Sequence, residues 1–162
     1  MQQTVQEFER QIAKYFGSPY AVATDCCTHA IELCLQYKKV KQISVPRHSY
    51  LSIPMTAIKI GIDYHWRYEE WEDEFEVASG IWDSAVLWRE NSYRTGEFQC
   101  LSFQFRKHLN LNRGGMILCN TLEDYTVLSA MAIDGRLPDK PWKEQNISIV
   151  GYRYYMTPKR PS

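Results

Sequence analysis

Nothing in this 162-residue chain offers a surplus of one charge, since 19 Lys and Arg balance 19 Asp and Glu. Without a basic excess there is no electrostatic reason to expect nucleic acid, whose binding depends on neutralising phosphates. No run of about 18 apolar residues occurs, so no transmembrane helix is predicted. The opening residues Met1, Gln2, Gln3 and Thr4 lack the basic start and apolar core of a signal peptide, and a cytoplasmic protein is the simplest expectation. A C-x-x-C pair is also missing. The five cysteines, Cys26, Cys27, Cys34, Cys100 and Cys119, are odd in number and fit neither a disulfide framework nor a structural zinc site. They are expected to serve as reduced, small apolar side chains. His29, His48, His65 and His108 show no ligand spacing, so no metal is expected. No internal repeat, linker or low-complexity segment is present.

What is there fits one globular domain spanning residues 1–162. The length suffices for a core without staples, and 44% hydrophobic with 23% charged residues is ordinary. Aromatic content is 14%, with 11 Tyr and 5 Trp, gathered in Tyr64–Trp88 and Trp142–Tyr155 as a core or an interface would need. Val5, Phe8, Ile12 and Phe16 recur at helical spacing before Gly17, predicting an opening helix. Tyr20–Thr24 reads as a buried strand and Thr28 to about Lys38 as a helix. Gln42–Val45 reads as a strand stopped by Pro46, Ser52–Lys59 as a helix, and Asp63–Arg67 as a strand. The acidic stretch Tyr68–Glu76 is expected to be an exposed loop or short helix. Ile81–Asp83, Phe98–Phe103 and Met116–Cys119 are further strands, and Thr121–Ala132 a helix. The remainder, from about residue 135 to 162, is expected to lack regular structure. Strands alternating with helices predict an α/β domain with a mainly parallel sheet, binding ligands at the carboxyl ends of its strands.

Three features there could carry chemistry. Ala23–His29 links a strand to a helix, whose N-terminal N–H groups attract phosphate. The Thr28 hydroxyl either joins that anion site or caps its own helix. Lys107 follows a strand end and precedes the pair Gly114-Gly115. Partial desolvation beside Arg106 and Arg113 would ease its deprotonation, the state a Schiff base needs; otherwise it is an exposed loop lysine. Asp83 ends an apolar strand. It could pair with a protonated ring nitrogen or simply start a turn. His108, beside Lys107, could shuttle a proton.

In this order the segments resemble the DegT/StrS family of pyridoxal-phosphate-dependent sugar aminotransferases. "GSPYAVATDCCTHAIELCL" is similar to its N-terminal strand and Ser-Gly-Thr phosphate turn, and "ISVPRHSYLSIPMTAIKIG" to its V-P-S-F-T-F segment. "IWDSAVLW" resembles E-D-A-A-Q-A. "CLSFQFRKHLNLNRGGMILCN" resembles the cofactor-lysine segment F-S-F-x-x-x-K-x-L-x-x-G-E-G-G, and "GYRYYM" resembles G-Y-N-Y-R-M. The resemblance implies the large domain of the aspartate-aminotransferase-like fold (fold type I), reduced in size, and pyridoxal 5′-phosphate as cofactor. It implies that Lys107 forms the Schiff base and moves the substrate proton, and that Asp83 bonds the pyridine nitrogen. It further implies that Tyr50 stacks on the ring and that Thr28, Ser102 and the Cys27 backbone hold the phosphate. Arg153 stands where the family's asparagine reaches a phosphate across a dimer interface. The implied reaction passes an amino group from an amino acid to a nucleotide-linked keto-sugar.

The pattern is broken in places. Cys27 replaces the glycine of the phosphate turn, Val86 replaces a ring-supporting glutamine, and Asn112-Arg113 replace Gly-Glu. Between Tyr68 and Ile81 a strand-and-helix stretch of the family is missing, and no small C-terminal domain follows "GYRYYM". Three readings result: a miniature aminotransferase, a cofactor-binding protein with lost or altered activity, or a non-catalytic subunit docking on a full-length relative. The set Lys107, Asp83, Thr28, Ser102 and Tyr50 favours the first two. A homodimer is expected, because the missing parts leave apolar surface to cover.

Overall fold

The computed structural model describes residues 2–137 and 139–158. Its elements run α1 (Gln2–Phe16), β1 (Tyr20–Thr24), α2 (Cys27–Tyr37), β2 (Gln42–Pro46), α3 (Ser52–Ile60) and β3 (Asp63–Arg67). There follow β4 (Phe75–Ala78), β5 (Ile81–Asp83), β6 (Phe98–Ser102), β7 (Gly115–Cys119), α4 (Leu122–Ala132) and a short 3-10 turn at Trp142–Glu144.

Strand residues alternate between two cores, as a period of two requires. In β7, Met116 and Leu118 face Ile12 and Phe16 of α1, while Ile117 and Cys119 face residues of α2 and α4. β1 divides in the same way, with Ala21 and Ala23 toward α1 and Val22 toward the other layer. Helices therefore cover both faces, as the α/β expectation required.

The sheet is mixed, however, and not mainly parallel. Five strands lie in the order β1-β7-β6-β5-β4, and only β5 and β6 pair in parallel. For β4 and β5 the cause is loop length. Parallel neighbours need a crossover of about a dozen residues or more. Ser79 and Gly80 alone connect β4 to β5, and Gly80 takes φ +72° to turn the chain back. β2 and β3 form a separate parallel pair. The Arg67 guanidinium spans the gap to the larger sheet, donating to the Ser44 carbonyl of β2 at 2.6 Å and the Glu76 carbonyl of β4 at 2.7 Å.

β4 corrects a second expectation. Phe75 and Glu76 belong to a strand, not to an exposed loop or helix, and Phe75 and Val77 lie fully in the core. The tail has little regular structure but is docked. Tyr152 and Tyr154 donate their N–H groups to the Met131 and Ala132 carbonyls, and Asp25 N–H donates to the Tyr154 carbonyl at 2.7 Å. The Tyr154 ring stacks on His29 at 3.6 Å.

Both β1 and β6 run antiparallel to β7, so they point the same way, and β5 runs with them. The carboxyl ends of β1, β5 and β6 consequently share one edge of the sheet. No helix among the described residues is long and apolar enough to cross a membrane.

Candidate active site

At that edge lies a cavity of about 440 Å³. Cys27, Thr28, Tyr50, Asp83, Ser102 and Lys107 all line it. The topology explains their convergence: Cys27 and Thr28 open α2 just beyond β1, Asp83 ends β5, and Ser102 ends β6. Lys107 sits in the loop leading from β6 back to β7.

α2 begins at Cys27, and its N-cap, Cys26, makes no side-chain capping bond. The first N–H groups of the helix are therefore open toward the cavity, as an anion site needs. Thr28 does not cap its own helix; its hydroxyl donates to Ser52 Oγ at 3.0 Å. Ser52, at the start of α3, is a lining hydroxyl that the sequence did not single out. The Cys27 thiol is turned away, donating to the Cys100 carbonyl at 3.3 Å.

A side chain at 27 is tolerated because this turn needs no left-handed residue: none of Cys26, Cys27 and Thr28 has positive φ. The left-handed position falls instead at Asn112, with φ +72°, where the family pattern has glycine. Asparagine is among the residues that enter this region most readily. The turn also leans on Gly115 of β7. A Cβ there would lie 2.4 Å from the Cys26 carbonyl carbon and 2.6 Å from the Cys27 nitrogen. Only glycine permits so close an approach.

Asp83 is buried at the cavity floor. Burial pushes its carboxyl up to about 6, against the pull of the Ala85 N–H and the Lys107 charge. Its Oδ1 accepts from Ala85 N–H at 3.0 Å, while among the described residues Oδ2 has no hydrogen-bond partner. A buried carboxylate with a spare acceptor suits a protonated ring nitrogen. Tyr50, 71% exposed, stands at the rim.

Beside the cavity lies a charged cluster that reaches it through Arg113. Arg113 donates to Asp25 Oδ2 at 2.7 Å, and His29 Nδ1 lies 2.6 Å from Asp25 Oδ1. Burial raises the Asp25 carboxyl, but the bonds from His29 and Arg113 outweigh it and hold it below the usual range. His29 loses by burial yet is held at about 9 by its Asp25 bond, so it is cationic at neutral pH. The i,i+4 spacing of Asp25 and His29 was the available signal. Asp25, Cys26 and His29 bring potential ligand atoms within 4.8 Å of one another. With His29 and Arg113 already on Asp25, two cationic groups hold the carboxylate that a metal would need.

Arg153 is not brought to the cavity. It bridges Ile133 in the docked tail, and its side chain donates to Asp134 at 3.3 Å.

Comparison with known proteins bears on the fold. Residues 1–64 match the sequence model of the DegT/DnrJ/EryC1/StrS aminotransferase family. No curated protein matches the chain. Among solved structures, Spr1654 of Streptococcus pneumoniae, described as a sugar aminotransferase, superposes on 94% of this chain. Its TM-score is 0.75 at 17% identity, 55% of its own chain is covered, and it is known in PLP, PMP and apo forms. A PLP-dependent aminotransferase of Bacillus cereus gives a TM-score of 0.75 at 16% identity, over 93% of this chain and 54% of its own. 3-Amino-5-hydroxybenzoic acid synthase gives 0.70 at 18% identity, over 91% and 50%. The chain spans about half the length of these structures and has the fold of their shared portion.

Proposed function

We propose that this chain, a relative of the DegT/DnrJ/EryC1/StrS aminotransferase family by its first 64 residues and its fold, is a pyridoxal-phosphate-dependent aminotransferase. Its amino donor is an amino acid and its acceptor a nucleotide-linked keto-sugar. The observation that carries this reading is the meeting of Lys107, Asp83, Thr28, Ser102, Tyr50 and the Cys27 turn in one cavity. The whole chain acts as one cofactor-binding unit in the cytoplasm, and a homodimer brings the partner copy's tail to each site.

Pyridoxal phosphate, when bound, supplies an aldehyde that condenses with amines and a pyridinium ring that withdraws electrons. The open N–H groups of α2, with the Thr28, Ser52 and Ser102 hydroxyls, would hold its phosphate. Asp83 Oδ2 would keep the ring nitrogen protonated, and Tyr50 would cover one ring face. Lys107 Nζ would be the amine that holds the cofactor, and the same amine would carry a proton to or from substrate carbon.

Asp83 tests this with two effects of opposite sign. Its carboxyl is raised by folding, so the stability it permits is complete below about 3.8 and lost as pH rises through about 6. At about 1.4 kcal/mol per pH unit, that displacement costs the cofactor-free protein roughly 3 kcal/mol at pH 8. Asp83→Asn should therefore melt about 6–12 °C higher than wild type at pH 8 without cofactor, with the gap closing toward pH 4. The same variant should lose most of the stabilisation that pyridoxal phosphate gives wild type. Loss of stability in the variant at pH 8, or undiminished stabilisation by the cofactor, contradicts the role given to Asp83. A protein that binds the cofactor yet fails to take up the amino group of glutamate would move the reading to a cofactor-binding subunit.

A further inference from the structure

A second cavity, of about 250 Å³, shares no lining residue with the first. It opens beside β1, the edge strand of the sheet, between α1, α4 and the segment 155–158. Val5, Val22, Ile133 and Met156 are among its apolar walls, and Glu9, Tyr125, Ser129 and Arg136 are among its polar groups.

Two of these polar groups are poorly served by the fold. Glu9 is only 9% exposed, and its Oε1 accepts from the Ala23 N–H of the strand edge at 2.8 Å. Its Oε2 has one long contact, 3.4 Å from the Tyr125 hydroxyl. Among the described residues no Lys, Arg or His forms a salt bridge with it. Burial pushes the carboxyl up to about 7, against the Ala23 and Tyr125 bonds and the Arg10 charge. Ser129, also 9% exposed, lines the same cavity from α4. Its hydroxyl lies near the Tyr125 phenol but makes no hydrogen bond of good geometry among the described residues. A glutamine at position 9 would accept the Ala23 N–H equally well without a buried charge. The acid is thus costly for folding alone and suited to a cation.

We propose that this cavity binds a primary ammonium carried on a small apolar body. An ammonium has three donors and no acceptor, which answers one unpartnered hydroxyl and one weakly bonded carboxylate oxygen at one site. Glu9 Oε2 takes a charge-assisted bond and Ser129 Oγ a second. The apolar body rests on Val22, Ile133 and Met156. An apolar cavity of about 150 Å³ accepts benzene, so 250 Å³ leaves room for a ring with its amine. Around Glu9 the titratable and charged groups are Arg10 of α1, Tyr125 of α4, Arg136 beyond α4, and Tyr155 of the tail. Arg136 makes no side-chain bond among the described residues and would pair with a carboxylate if the ligand carries one.

The test is calorimetric titration of the full chain at pH 8 with phenethylamine, 2-phenylethanol and L-phenylalanine. Phenethylamine should bind at least ten-fold more tightly than 2-phenylethanol, which has the same body without charge. Glu9→Gln should remove that difference, and Ser129→Ala should weaken the amine about three-fold. Tighter binding of L-phenylalanine than phenethylamine would assign a carboxylate to Arg136, and weaker binding a plain amine; both support the site. Equal affinity for the amine and the alcohol, no binding of either, or unchanged amine affinity in Glu9→Gln overturns the proposal. Should Glu9→Gln fail to fold, the wild-type ligand pair and Ser129→Ala give the same decision.

Discussion

Lys107→Ala should leave a folded protein whose amino-transfer rate falls by about 10³-fold or more. The fold loses little, because the Lys107 side chain makes no hydrogen bond or salt bridge among the described residues; only its backbone N–H is used, donating to the Gln104 carbonyl. What disappears is the single amine over the buried Asp83 carboxyl. On the proposed function two roles would go with it, cofactor anchorage and proton transfer at substrate carbon, and neither Arg106 nor Arg113 could replace them, since guanidinium stays protonated. The remaining contacts, the α2 N-terminus with Thr28, Ser52, Ser102 and Asp83, are untouched, so the variant should still be stabilised by pyridoxal phosphate in a melting experiment. It should lack the absorbance near the visible edge that reports attachment. An active Lys107→Ala protein, or one still yellow after dialysis, would contradict the role given to this residue.

Gly115→Ala is expected to be nearly as damaging, through packing alone. The added Cβ would meet Cys26 C, Cys26 O and Cys27 N at 2.4, 2.6 and 2.6 Å, all of them backbone atoms. Backbone cannot swing aside as a side-chain end can, so either β7 shifts or the turn before α2 lifts. β7 is paired on both sides and buried along its whole length, so the turn should give way. Overpacking of this kind costs about 3 kcal/mol, or roughly 6–12 °C in melting temperature for a domain of this size. Because the displaced atoms begin α2 at the cavity, where the proposed function seats the cofactor phosphate, cofactor affinity should fall with stability. Ala at a spacious glycine such as Gly96, where no atom lies within 4 Å of the added Cβ, provides the comparison for clash, although its φ of +85° adds strain. A Gly115→Ala protein with wild-type melting and cofactor affinity would show that the turn does not rest on β7 as described.

Most of the architecture was legible because its signals are local. The Val5-Phe8-Ile12-Phe16 spacing marked α1, and the apolar runs at 20–24, 81–83 and 98–102 marked strands now found at the site edge. β4 was obscured because five acids lie between Tyr68 and Phe75 and Glu76 follows, hiding the alternation of Phe75 and Val77. The direction of β4 was missed for a different reason: the two-residue Ser79-Gly80 link sets it against β5, and the α/β pattern outweighed that signal.

The site divides similarly. Residues tied to a strand end or helix start, such as Asp83, Ser102 and Thr28, reach the cavity through the topology. Ser52, and the pairing of Arg113 with Asp25, depend on how α3 and the 103–114 loop fold against the start of α2. Arg153 was read through a two-chain arrangement, and within one chain it serves the tail. Nothing in the sequence marks Glu9 as buried except its place between Phe8 and Ile12, beside the buried face of α1.

The most direct test is to incubate the wild-type chain with pyridoxal phosphate, reduce it with borohydride and map the peptides by mass. The account predicts one phosphopyridoxyl group, on Lys107. Label spread over other lysines, or no stable label at all, would contradict it.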